Sequence, residues 1–158
     1  MKATFENSIS VLVKAFFDDT LQHGNCYACA IGNLVASANG FKYVPCIDEK
    51  YQRLALDVNK GRYLKHNPNE GIGGNWFDGA RWTDHANDKA IQEMESIGYS
   101  WTEINRIERA FETAEMDGDY MFNGLMAVVD VLADIHGVDL TTKETAIGQF
   151  KEVQLSKA

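Results

Sequence analysis

The chain is poor in several residue types, and each shortage removes a class of protein. It has only two prolines and shows no low-complexity tract, internal repeat or interdomain linker. Its three cysteines, Cys26, Cys29 and Cys46, are too few and odd in number for a disulfide scaffold. No apolar run approaches the roughly 18 residues that span a bilayer. Asp130 and Asp134 interrupt the greasiest stretch. The first residues, Met1-Lys2-Ala3-Thr4-Phe5-Glu6, lack a continuous apolar signal core, and no Asn-x-Ser/Thr sequon occurs. Together these absences predict a cytoplasmic protein with no membrane partner. Positive charge is scarce too: 15 basic residues stand against 23 acidic ones, a net charge of −8. Such a chain repels nucleic-acid phosphates unless its cations cluster. The tightest basic cluster, Arg53 to Lys65, is flanked by acids, so direct nucleic-acid binding is not expected. The charge serves solubility, or an acidic surface that meets a basic partner or imitates nucleic acid.

What remains is ordinary globular material, 45% hydrophobic and 24% charged. A chain of this length buries about 70% of its unfolded surface as a single domain, and residues 1–158 read as one helical domain. Phe5, Ile9, Leu12, Val13 and Phe16 mark one face of a first helix. Asn25 is a cap for a second, with Tyr27, Ile31, Leu34, Val35 and Ala38 as its apolar stripe and Gly40 as its stop. Phe41-Lys42-Tyr43-Val44 before Pro45 reads as a short strand or an extended connector, and Asp48 as the cap of a modest helix to about Val58. Residues 61–86 hold five of the 13 glycines and two of the three tryptophans and read as a long loop.

Helical signals then return. Asn87 caps a helix with Ile91, Met94 and Ile97, stopped by Gly98. Ser100-Trp101-Thr102-Glu103 is a capping box. Asp119 caps a helix from Tyr120 to His136 that is apolar on most of its circumference, the expected centre of the core. Thr141-Thr142-Lys143-Glu144 is a second capping box, opening a helix with Ile147 and Phe150. The predicted fold class is therefore all-α (mostly), a single-domain irregular bundle of about six or seven helices with one long Gly/Trp-rich loop.

The most suggestive chemistry is Cys26-x-x-Cys29 at a predicted helix start, where the helix dipole favours a thiolate. His23, Cys26, Cys29 and Cys46 would supply four zinc ligands, although structural zinc usually takes two close pairs and Cys46 has no such neighbour. No cofactor other than this zinc is expected. A redox pair needs a strand leading in, and none is predicted. Gln22, Gly24, Cys26, Cys29 and Ala30 resemble the papain-family motif, one residue out of spacing and with no Trp after the second cysteine. His85 and His136 would be the bases of such a nucleophile. The plainer alternative is that Cys26 and Cys29 pack as small apolar residues. Asn25, Cys26, Cys29 and Asn33, with Trp76, Trp82 and His85 of the loop, are the candidate binding residues. The loop aromatics can equally fold back onto the core.

Three further features read as structure. Placing Asp117 first in a calcium loop puts Phe122 where Gly is needed and Val128 where Glu is needed, so residues 115–119 are a turn. His136 suits a helix C-terminus. Asp130 and Asp134 are four apart and read as a solvated stripe before they read as paired acids.

Three stretches carry a resemblance: Asn25 to Leu34, Ile97 to Glu103, and Met121 to Leu132. Together they resemble small uncharacterised proteins encoded by phages and mobile elements of gut bacteria. The resemblance covers both ends of the chain and leaves the middle unmatched. It implies a phage or mobile-element context and no catalytic residues. The expected function is that of a non-enzymatic binding protein, with a protein partner or small ligand, that modulates a host process. The alternative is a small metal-binding protein or cysteine-dependent enzyme centred on the Cys26–Cys29 helix.

Overall fold

The computed structural model describes residues 3–21, 29–38, 41–44, 53–57, 62–66, 97–114 and 118–158. These form a mostly helical fold with five helices and one small sheet among the described residues. Helix α1 spans Phe5–Phe17. It starts where the Thr4 hydroxyl accepts the Asn7 N–H at 3.2 Å, which satisfies one of the free donors of a first turn. Its buried face is Phe5, Ser8, Ile9, Leu12, Ala15 and Phe16, the helical spacing expected, with Val13 only half-buried.

Helix α2 spans Ala30–Ala38. Asn25 and Tyr27 lie outside the described residues, and the described helix opens at Cys29 instead. Strands β1 (Phe41–Val44), β2 (Arg53–Asp57) and β3 (Arg62–His66) make an antiparallel meander in the order β1-β2-β3. Tyr43 stands opposite Ala55, and Ala55 opposite Leu64. Two expectations are corrected here. Residues 53–57 are strand, not the end of a helix capped by Asp48, and β3 occupies part of the stretch read as loop. Residues 67–96 lie outside the described residues, and with them the helix expected after Asn87.

Helix α3 spans Trp101–Glu112 and opens with the expected capping box. Ser100 N–H donates to Glu103 Oε1 at 2.9 Å, and Glu103 N–H donates to Ser100 Oγ at 3.2 Å. Helix α4 spans Tyr120–His136. Asp119 caps it by accepting the Phe122 N–H at 3.1 Å, and Gly137 ends it at φ 60°. That left-handed conformation suits a residue without Cβ. Leu125, Val128, Val129 and Leu132 are fully buried, while Asp130 and Asp134 face water, so α4 is the central helix the sequence predicts.

Helix α5 spans Leu140–Ser156. Its cap is Asp139, not a capping box at Thr141: the Asp139 carboxylate accepts the Thr142 N–H at 2.7 Å. Hydrogen bonds from the Thr142 side chain and then its backbone hold the Asp139 carboxyl below the usual range. A carboxyl held low in the fold stabilises it above the unfolded value, and that gain is lost as the pH falls through the lowered folded value. Asp139→Asn keeps a cap and removes the titration. The variant should lose less melting temperature than the wild type on acidification below about pH 4; superimposable pH profiles would refute the role of this cap.

Helix α3 packs along α4, α4 along α5, and α1 against α2, α4 and α5. The side-chain contacts give the directions. Tyr99, just before α3, touches His136 at the end of α4, so these two helices are antiparallel. Gln154 near the end of α5 donates to Asp119 before α4, so this pair is antiparallel as well. Lys157 pairs with Asp19, so α1 and α5 run the same way. One end of the bundle therefore gathers the starts of α1, α3 and α5. The other gathers their ends and the start of α4. Phe16, Phe122 and Phe150 join α1, α4 and α5, with ring centroids 6.5 and 6.4 Å from Phe16.

Candidate functional site

Two polar clusters and one groove are the candidates among the described residues. The first cluster joins α1 to α2. Thr20 follows the turn after α1, and its hydroxyl lies 3.2 Å from both Ala15 O and Asn33 Oδ1. Asn33 Nδ2 donates back to Thr20 O at 3.2 Å and to Cys29 O at 3.0 Å. Asn33 is 5% exposed and Thr20 3%. The Cys29 sulfur accepts the Gly32 N–H at 3.3 Å, which places Cys29 as the cap of α2. Cys29 is 2% exposed. Of the residues expected to bind, Cys29 and Asn33 are thus brought together, and both face the interior.

The second cluster was not foreseen as a set. Ser8 Oγ lies 2.7 Å from the Tyr99 hydroxyl, which lies 2.8 Å from His136 Nε2. The Phe5 ring meets the imidazole edge-on, with centroids 6.2 Å apart. Burial pushes the Tyr99 phenol up; the Ser8 bond pulls it down and the Glu103 charge pushes it up. A serine activated for attack touches its base directly. Here a phenol stands between Ser8 and His136, and Ser8 is 4% exposed. The chain of hydroxyls instead ties α1, the residue before α3 and the last turn of α4 together. The sequence offers two separate signals, Ser8 as a polar residue on an otherwise apolar helix face and His136 at a helix end, and nothing that joins them.

The groove, about 350 Å³, lies between the first halves of α1 and α5. Phe5, Ile9 and Ala146 are its buried members, and Glu6, Ser10, Thr141, Thr145 and Gln149 its exposed ones. Glu6 is negative, but the nearby helix starts carry positive partial charge, so the groove selects neither sign. Outside the groove lining, Asp134 pairs with Arg106 at 2.6 Å and Asp130 with Lys143 at 2.5 Å. Each acid of the α4 stripe therefore has its own cation on a neighbouring helix. At the surface such pairs contribute about 0–1 kcal/mol each.

Asn25, Cys26, Trp76, Trp82 and His85 lie outside the described residues, as do His23 and Cys46 of the zinc reading. Among the described residues no three of His, Cys, Asp and Glu gather as metal ligands would. No helix among them is long and apolar enough to cross a membrane. Compared with protein-family models, curated proteins and solved structures, the chain matches none.

Proposed function

We propose that this chain is a non-enzymatic binding protein of phage or mobile-element origin that modulates a host process from within the cytoplasm. One observation carries the reading: large apolar side chains stay in water on a well-packed helical frame. Phe17 is 61% exposed, Leu140 67% and Leu155 75%. Covering such surface gains roughly 25 cal/mol per Å². The polar groups suited to chemistry support the same reading, because they hold the helices to one another. Ser8, Tyr99 and His136 bond in a row, Asn33 bonds Thr20 and Cys29, and Asp130 and Asp134 hold Lys143 and Arg106. The phage context rests on the resemblance of the three stretches.

The test is capture from a gut-bacterial lysate, paired with a melting-temperature screen of small ligands. A specific partner or a ligand-induced shift is expected; a blank in both would sink the reading. Replacing Cys26 and Cys29 with Ala separates it from the cysteine-centred alternative. A binder keeps its partner, whereas a zinc protein or cysteine enzyme loses metal or activity.

A further inference from the structure

We infer that the outward face of α5 pairs, antiparallel, with the same face of a second copy of the chain. Of the large apolar residues described, Leu140 and Leu155 are the two most exposed, at 67% and 75%, and both stand on α5. Leu140, Glu144, Gly148, Lys151 and Leu155 follow one another three or four positions apart, so they form one stripe along the helix. At 3.6 residues per turn this stripe falls opposite the buried face, Ala146, Phe150 and Val153. Self-pairing lies beyond the binding reading above. It accounts for two of the three exposed residues that carry that reading and leaves Phe17, on α1, to a host partner.

The order of residues along the stripe decides the occupant. Leu140 and Leu155 are equidistant from the point between Ile147 and Gly148, and so are Glu144 and Lys151. A two-fold axis through that point sets residues at equal distances opposite one another, each contact occurring twice. Leu140 then meets Leu155 of the second copy, and Glu144 meets Lys151 of the second copy. Neither Glu144 nor Lys151 is in an ion pair among the described residues, so both are available. Gly148 falls beside the axis. A Cβ there would have no atom within 4 Å, and its backbone is not left-handed, so nothing inside the chain calls for a glycine. Glycine inside a helix is destabilising relative to alanine, and what it permits is the close approach of another backbone. A parallel pair would instead set Glu144 against Glu144 and Lys151 against Lys151. A uniformly basic or acidic partner would satisfy one of these charges and repel the other. One helix face on each copy buries roughly 1,000 Å² or less, the low end of specific interfaces, so the dimer is a dissociable one.

Sedimentation at physiological ionic strength, where the chain's net charge of −8 is largely screened, should show a concentration-dependent dimer. Glu144→Lys and Lys151→Glu should each raise its dissociation constant by about tenfold or more, because like charges then face each other twice. The double reversal, Glu144→Lys with Lys151→Glu, should restore the dimer. Gly148→Leu should raise the melting temperature of dilute, monomeric protein and yet weaken the dimer. All three positions are off the buried face, so the variants should fold. Lys14→Glu, at an exposed lysine of α1, is the control: it changes the net charge as Lys151→Glu does and should leave the dimer unchanged. A chain still monomeric at about 1 mM overturns the proposal. So does a dimer indifferent to the single reversals or to Gly148→Leu, one that the double reversal fails to restore, or one that Lys14→Glu weakens as much as Lys151→Glu does. Lysate capture and the ligand screen test the binding reading separately. A monomer that captures a partner sinks the dimer alone; a charge-switchable dimer with a blank in both screens sinks the binding reading alone.

Discussion

Phe150→Ala should lower the free energy of unfolding by about 3–5 kcal/mol, measured by urea denaturation at neutral pH. Phe150 is fully buried on α5. Its ring lies 6.4 Å from that of Phe16, which in turn meets Phe122 of α4 at 6.5 Å. Truncation therefore empties the place where three helices meet, and the surrounding rings are too rigid to fill it fully. Aromatic pairing adds about 0.5–1.5 kcal/mol beyond the buried area. The loss is a large share of the roughly 5–15 kcal/mol that holds a domain. Phe150→Leu keeps most of the volume and should cost much less, so it remains measurable if the alanine variant does not fold. A cost for Phe150→Ala below about 1 kcal/mol would be that of a surface site, and would mean that α5 does not pack on α1 through this residue.

The features legible in the sequence are those fixed by neighbours a turn apart. The Ser100–Glu103 capping box, the Asp119 cap, the Gly137 stop and the buried face of α1 all depend on residues within four positions of one another. Where two local signals competed, the sequence misled. Asp139 and Thr141 stand two positions apart as caps for α5, and the carboxylate holds the helix start because it is the better acceptor for a free backbone N–H. In Arg53–Asp57 only Leu54 and Leu56 alternate, and so short a run cannot separate a period of two from one of 3.6. What makes it a strand is pairing with β1 and β3. The site is harder still to read. Cys29 and Asn33 could be singled out by residue type, but not the bonds by which Asn33 joins Cys29 to Thr20. Ser8 and Tyr99 are 91 positions apart, so nothing local announces that each satisfies the other.

Tyr99→Phe should cost about 2–3 kcal/mol, because it removes one oxygen that serves two partners. Ser8 and Tyr99 are 4% and 3% exposed. Without the phenol, the Ser8 hydroxyl loses its link to Tyr99 in a place water hardly reaches. His136 is half-buried, so water can reach Nε2 more easily and its share of the cost should be smaller. Ser8→Ala alone removes the other half of the 2.7 Å contact. If the two hydroxyls act through each other, Ser8→Ala/Tyr99→Phe should cost less than the sum of the single changes, by about 1–2 kcal/mol. An additive cycle would mean that the hydroxyls do not depend on each other. The same variant has a signature in alkali that a mere packing defect lacks. Burial raises the Tyr99 phenol above its ordinary value, so its contribution is complete below about pH 10 and is lost as the pH climbs through the raised folded value. Phenylalanine at position 99 should therefore be less stable at neutral pH and yet lose less on going to strong alkali than the wild type does.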